Sequence, residues 1–424
     1  MKKLRLRMSF TLNAALIYVA LFCVSTFALM EHASIHTAFF SYIKMPLMYV
    51  GGICLVTQIK TIFRHILKKN YFYTLLALVL LCVLLGVSTL INDSSIMVVV
   101  RLMLFLLELF LLMIVLAETG RAQGAINFLF WYVLILVLIN DLLMFTRVIT
   151  FQSGRFEIYL VGTKFNVAYL HMDLVTLWLM RAKRDLRAFR GAKWKVLLAA
   201  AYIIAVSIRV DIMTGIVGCL VLVCLYALTE SGVSRRMFRL TSPWMLFLLL
   251  AASVAFVFAA EAILEIPAVR YVVEDLLGRS KNLTGRVNIY KEYIANMEGL
   301  WVTGVGYGNG NAASVSLFGY ENAQNGILQW VMQTGVFATG MLVVLLLQVF
   351  RQIPGRGGRN MERIMPLVAL IYTFVILGMI EVTFDMSFLL WFGMIFMLSN
   401  ERKKLPQPEG VAVTSSAGRM ERRR

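Results

Sequence analysis

Three arginines carry the first chemical suggestion in this chain: Arg155, Arg209 and Arg286. Each falls in a polar connection between apolar runs, where a permanently charged, planar guanidinium suits phosphate oxygens better than an ammonium does. Arg286 has the richest surroundings. It lies in TGRVNIYKEYIANMEG, where Thr284 is the expected N-cap, Val287, Tyr290, Ile294 and Met297 recur at helical spacing, and Gly299 ends the run. The first turn of such a helix offers free backbone N–H groups beside the guanidinium, a combination that draws anions. Local pairing of Arg286 with Glu292 or Glu298 is the competing expectation. Two carboxylates, Glu381 and Asp385, are spaced i, i+4 at the expected outer end of a later apolar run, which turns both toward the compartment of the long loop.

The elements that must hold these groups are membrane helices by composition. Of 424 residues, 60% are hydrophobic and 15% charged, with a mean hydropathy of +0.79, well outside the range of a soluble globular domain. The apolar runs are continuous over roughly 20 residues, long enough to cross a bilayer as a helix, and they lack the alternation of barrel strands. The expected fold is all-α, a polytopic helical membrane protein with about twelve transmembrane helices. They are placed near residues 9–30, 37–59, 72–91, 97–117, 125–146, 165–180, 196–208, 212–229, 244–262, 325–349, 365–383 and 386–400. Residues 1–400 then make a single transmembrane domain with a long outer loop at 263–324, and 401–424 form a basic tail of disordered composition. The opening MKKLRLRMSF resembles a signal-peptide leader, but no small-residue cleavage site follows, so it is assigned to an uncleaved first span.

The net charge of +18 reports topology. Lys and Arg concentrate in alternate connections, from Lys60 to Lys69, Arg181 to Lys195, Arg235 to Arg239 and Arg351 to Arg363, and in the tail. This is the positive-inside pattern with both termini cytoplasmic, and it argues against a nucleic-acid partner. The connections holding Arg155, Arg209 and Arg286 then share the outer face. Within the runs, Lys44, Arg101, Glu108, Asp141 and Asp173 are expected either in structural ion pairs or facing a cavity, with Arg101 and Glu108 paired to other helices. The five cysteines sit inside apolar runs without a CxxC or a His at ligand spacing, so no metal is expected, and no cofactor either. The run GVGYGNG lacks the GxGxxG spacing and the Gly-Lys-Ser/Thr of nucleotide loops; its glycines let the backbone turn and approach a substrate or another helix.

The order TGR, amphipathic helix, GVGYG turn and QNGILQWVMQTG leading into a span resembles the C-terminal signature of the O-antigen ligase and polysaccharide polymerase family. GRFEIYLVGTKFNVAYL, with Arg155, Gly162 and Asn166, is similar to that family's outer loop and following span, and IRVDIMTGIVG resembles its arginine-bearing turn. The resemblance covers roughly residues 150–340. It implies a metal-independent glycosyltransferase of the bacterial cytoplasmic membrane acting on a polyprenyl-diphosphate-linked glycan at the outer face, either joining repeat units into a capsule, exopolysaccharide or O-antigen or transferring them to another acceptor. Arg155, Arg209 and Arg286 would hold the diphosphate, while Asn166, Asn325 and Gly306 would position substrate. The implied partners are the lipid-linked donor and acceptor, the bilayer, and flippase and chain-length regulator proteins.

The family usually carries His-Asn where this chain has Gln324-Asn325. Glutamine is no general base. Either Glu321 or Asp385 takes that part, or Gln324 only orients the acceptor before a good leaving group, or the protein is inactive or differently employed. A twelve-span transporter or a glycan flippase is the alternative from another class; it predicts half-to-half similarity or arginines along a central cavity, neither of which is visible in the sequence. Arg209→Ala and Arg286→Ala are expected to abolish polymer without lowering membrane levels.

Overall fold

The computed structural model describes residues 2–30, 38–147, 151–153, 156–182, 193–230, 240–271, 274–275, 285–355 and 360–402. Arg155, Thr284 and the tail beyond 402 lie outside the described residues. The chain is all-α apart from one short hairpin. In order, the elements are α1 (Lys2–Leu29), α2 (Ala38–Val56), α3 (Ile59–Ile66), α4 (Lys69–Ile91), α5 (Ile96–Glu118), α6 (Ala122–Thr146), β1 (Phe151–Ser153), β2 (Phe156–Ile158), α7 (Lys164–Ala182), α8 (Lys193–Arg209) and α9 (Met213–Glu230). Then follow α10 (Pro243–Glu265), α11 (Pro267–Tyr271), α12 (Arg286–Asn296), α13 (Gly310–Phe318), α14 (Gly326–Arg351), α15 (Met361–Leu377) and α16 (Met386–Ser399). The strands pair antiparallel, with Gln152 opposite Glu157.

A helix coincides with each of the twelve apolar segments. Among the described residues, six are long and apolar enough to cross a membrane, or seven if α2 and α3, bent by 71° at Thr57–Gln58, count as one broken span. An apolar belt remains exposed on several of them, including Leu138, Leu142, Leu248 and Phe258, as expected of helices that face lipid. By contrast α5, α15 and α16 are buried along most of their length, so they form the centre of the bundle.

Polar contacts fix the helix directions. At one end Glu118, closing α5, binds Lys68 and Tyr71 at the start of α4 and Arg402 just after α16, while Gln352 after α14 reaches Thr74 at 2.6 Å. At the other end Ser88 and Ser94, flanking the α4–α5 turn, donate to the carbonyls of Thr303 (2.6 Å) and Tyr307 (3.1 Å) in the long loop. Among the described residues neither Arg101 nor Glu108 forms the expected ion pair with another helix. Glu108 instead faces the backbone of α2, where Gly51 and Gly52 leave room for its carboxyl, and Arg101 makes no ion pair among the described residues. Asp141 does pair, accepting from Tyr202 at 2.5 Å and meeting His171 at 3.0 Å.

Helix length shapes this second end. At 1.5 Å per residue α10 runs about 34 Å, whereas α15 and α16 run only about 25 and 21 Å. The connection between α15 and α16 therefore stops short of the end of α10: buried Asn325, at the head of α14, donates to Ser253 near the midpoint of α10 and to Met379 of that connection. Residues 286–325 cover the resulting recess. They pack through a second apolar core in which Val257, Ala260 and Leu264 of α10 meet Val287, Tyr290 and Tyr293 of α12, with Phe318 and Met332 closing it.

Candidate functional site: a cationic recess at the outer helix ends

Arg286 stands at the first position of α12, after Gly285, whose φ of 93° turns the chain into the helix. Its guanidinium does not pair with Glu292 or Glu298. It crosses to the α15–α16 connection, where Nε donates to the Ile380 carbonyl at 2.7 Å and a second nitrogen binds the Glu381 carboxylate. Glu381 is not on a helix, because α15 ends at Leu377; the i, i+4 relation to Asp385 therefore gives way to an irregular connection that carries both. Burial raises the Glu381 carboxyl from its ordinary 4.5 to about 7, against the opposing pull of Arg286, Thr214 and Lys164. Thr214 opens α9, and its hydroxyl lies 3.5 Å from the same carboxylate.

Lys164 and Arg209 flank this pair. The Lys164 ammonium, at the head of α7, donates to the Asp211 carbonyl at 2.8 Å, binding α7 to the α8–α9 turn, where Asp211 takes a φ of 50°. Arg209 ends α8 half-buried, with no hydrogen bond or ion pair among the described residues. Its field reaches Tyr159 of the hairpin segment, whose hydroxyl is pushed up to about 12 by burial and by Glu157 at 3.0 Å, with Arg209 opposing. The ends of α7, α9, α12 and α15 thus bring Lys164, Thr214 and Arg286 to one buried carboxyl, with Arg209 two residues from the Asp211 carbonyl that Lys164 binds. Arg155 lies outside the described residues. Asn166 is used locally: it accepts from the Thr163 N–H (3.0 Å) and hydroxyl (2.7 Å), as in a capping box that starts α7.

The end of the long loop is held from both sides. Gln324 adopts φ 49°, and its side-chain amide donates to Asn322 at 2.7 Å, leaving the Gln324 Oε1 without a partner among the described residues. The Tyr290 hydroxyl, kept protonated by burial, reaches the carbonyls of Gln324 (3.0 Å) and Met379 (2.9 Å). Asn325 is fully buried and caps α14 by accepting from the N–H groups of Ile327 and Leu328. With its amide on Ser253 and Met379, it positions the loop rather than presenting itself to a ligand. Glu321 is exposed, without a partner among the described residues.

The glycine run serves the scaffold. Gly335 breaks α14 with φ 78° and ψ 171°, so Val336 N–H cannot reach Met332. Val336 donates instead to the Trp301 carbonyl, and Met332 accepts from Val305 N–H, both at 2.8 Å. The 301–305 turn therefore replaces the hydrogen bonds lost at the break. A Cβ on Gly304 would stand 2.6 Å from the Met332 carbonyl, and one on Gly306 would stand 2.5 Å from Ser94. Gly306, expected beside substrate, thus takes its close neighbour from the α4–α5 turn.

Asp385 caps α16, accepting from Phe388 N–H at 3.0 Å and from the Ser387 hydroxyl at 2.7 Å. Its charge is felt by Tyr169 and Asp173, one turn apart on α7. Asp173 Oδ1 and the Tyr169 hydroxyl are buried without a hydrogen-bond partner among the described residues.

Lys164, Thr214, Tyr169 and Tyr290 were not singled out from the sequence as site residues. Lys164 had a usable signal, a cation at the start of an apolar run on the lysine-poor face. The aromatic hydroxyls had none, since Tyr at helical spacing reads as core. Among the described residues no group of three or more His, Cys, Asp or Glu side chains could hold a metal ion. Comparisons with protein-family models, curated proteins and solved structures gave no match to this chain.

Proposed function

We propose that this chain is a membrane glycosyltransferase that polymerises polyprenyl-diphosphate-linked oligosaccharide repeat units at the outer face of a bacterial cytoplasmic membrane. The observation that supports it is the meeting of Arg286 and Lys164, from separate connections, at the Glu381 carboxyl, with Arg209 two residues from the Asp211 carbonyl that Lys164 binds. In this proposal all twelve apolar segments cross the bilayer, both termini are cytoplasmic, and the recess opens toward the outer face.

The acceptor hydroxyl oxygen attacks the anomeric carbon of the donor. The bond from that carbon to the diphosphate oxygen breaks, and the lipid diphosphate leaves with the electron pair. Fixed guanidinium and ammonium groups stabilise the charge that develops on it. The Asp385 carboxylate, held on the N-terminus of α16, accepts the hydrogen bond of the attacking hydroxyl and takes its proton, while the Gln324 Oε1 accepts from a neighbouring hydroxyl of the acceptor sugar and orients it. A ligase passing the chain to a different acceptor would use the same recess. A flippase would need these cations along a central cavity rather than at helix ends.

Asp385→Asn tests the base. Asparagine keeps the N-cap, so the fold is retained while the charge is lost. The expected result is chain growth slowed by about 100-fold or more with donor binding unchanged, the scale of a lost general base. Gln324→His should keep or raise the rate. Full turnover by Asp385→Asn would remove that residue from the mechanism.

A further inference from the structure

At the opposite end of the bundle, α3 has three distinct sides. Ile62 and His65 are buried, with His65 Nε2 standing 3.3 Å from Glu118 of α5. Ile59, Phe63 and Leu67 recur every four residues and form an exposed apolar ridge, Phe63 being 66% and Leu67 78% exposed. Lys60 and Arg64 form an exposed basic ridge beside it. The bend of 71° from α2 turns α3 away from the direction of the span before it.

Charge accounting leaves the basic ridge unbalanced. Glu118 is the nearby acid, and it is taken by Lys68, His65, Tyr71 and Arg402. Lys60, Arg64 and the exposed Lys69 make no hydrogen bond or ion pair among the described residues. A helix with one side seated on protein, one apolar side and one basic side between them fits the bilayer boundary: the apolar ridge enters the acyl region while the cations reach headgroup phosphates. We propose that α3 is an interfacial helix, and that Lys60, Arg64 and Lys69 form a binding site for the headgroup of an anionic phospholipid. The site is separate from the cationic recess and does not depend on its function.

The test uses the full chain reconstituted in nanodiscs. Mixed phosphatidylglycerol and phosphatidylcholine are supplied, and the lipids retained on the detergent-extracted protein are counted by native mass spectrometry. The expected result is enrichment of phosphatidylglycerol, falling about fivefold for each cation removed in Lys60→Gln and Arg64→Gln, which corresponds to about 1 kcal/mol per basic residue at an anionic surface. A Phe63→Trp variant reports depth independently, because position 63 is exposed and accepts the larger ring. Quenching of the introduced indole by lipid brominated near the headgroup supports the proposal. Unchanged selectivity in both glutamine variants overturns it, as does an indole quenched by aqueous iodide, or one reached by neither quencher because a second copy covers it.

Discussion

Arg286→Ala is expected to abolish the proposed glycan transfer and also to weaken the fold, and adding Glu381→Gln is expected to restore the fold without the activity. The sequence alone suggested that Arg286 could be removed without lowering membrane levels; the buried pair changes that expectation. Taking away one member of a buried ion pair leaves an uncompensated charge and costs about 3 kcal/mol, whereas neutralising both removes most of that cost. Melting of the purified single and double variants, with donor binding measured on each, separates the structural part from the substrate part. The pair also sets a pH dependence. The folded-state value of Glu381 is raised from 4.5 to about 7, so the folded chain binds this proton more tightly than the unfolded one. Its contribution to stability is full below about pH 4.5 and is lost as pH rises through about 7. Below about 7 the neutral Glu381 also frees Arg286 for phosphate, so donor affinity should rise as pH falls through that value and be flat in Glu381→Gln. Donor affinity independent of pH in the native chain would remove Glu381 from the site.

Gly335→Ala gives the largest loss of stability in the outer segment. A φ of 78° with ψ of 171° belongs to a region that glycine alone occupies freely, and an added Cβ would stand 2.0 Å from the Val302 carbonyl, a backbone atom that cannot swing aside. The loss should exceed about 4 kcal/mol, the range reserved for backbone strain combined with a steric clash. Gly340, one and a half turns further along α14, has nothing within 4 Å of its would-be Cβ. There alanine should stabilise the helix by up to about 1 kcal/mol. Thermal melting of both variants in one detergent makes the comparison, and equal melting points would mean that the break in α14 is not held by the 301–305 turn.

Much of the fold was legible because hydropathy is a local property. Each apolar segment coincides with a helix, although α1 begins seven residues before and α15 ends six residues before the expected bounds, and α12 formed where the spacing of Val287 and Tyr290 placed it. Depth was not legible. Segment lengths alone did not show that α15 would stop at Leu377 and leave Glu381 in an irregular connection, because Gly378 and the residues after it are nearly as apolar as those before. The break at Gly335 was hidden for the same reason: hydropathy runs through it unaltered, and only the hydrogen bonds to Trp301 and Val305 reveal it. The site was half legible. Arg209, Arg286, Glu381 and Asp385 could be picked out one by one as charges in unfavourable places, but the partnership of Arg286 with Glu381 spans most of the long loop and two helices, and no spacing rule connects them. Asn325 and Gly306 were drawn by motif toward substrate, and the packing uses them for a helix cap and a close turn.

The central claim is that the recess transfers glycan from a lipid diphosphate. It is tested most directly by incubating the purified full-length chain in vesicles with polyprenyl-diphosphate-linked oligosaccharide, without nucleotide or added metal, and separating the products by size. The expected products are a ladder of lipid-linked chains longer than the input and polyprenyl diphosphate released in step with it, both lost in Arg286→Ala/Glu381→Gln. Unchanged oligosaccharide in the presence of folded protein, or movement of the intact donor across the bilayer without chain growth, would contradict it.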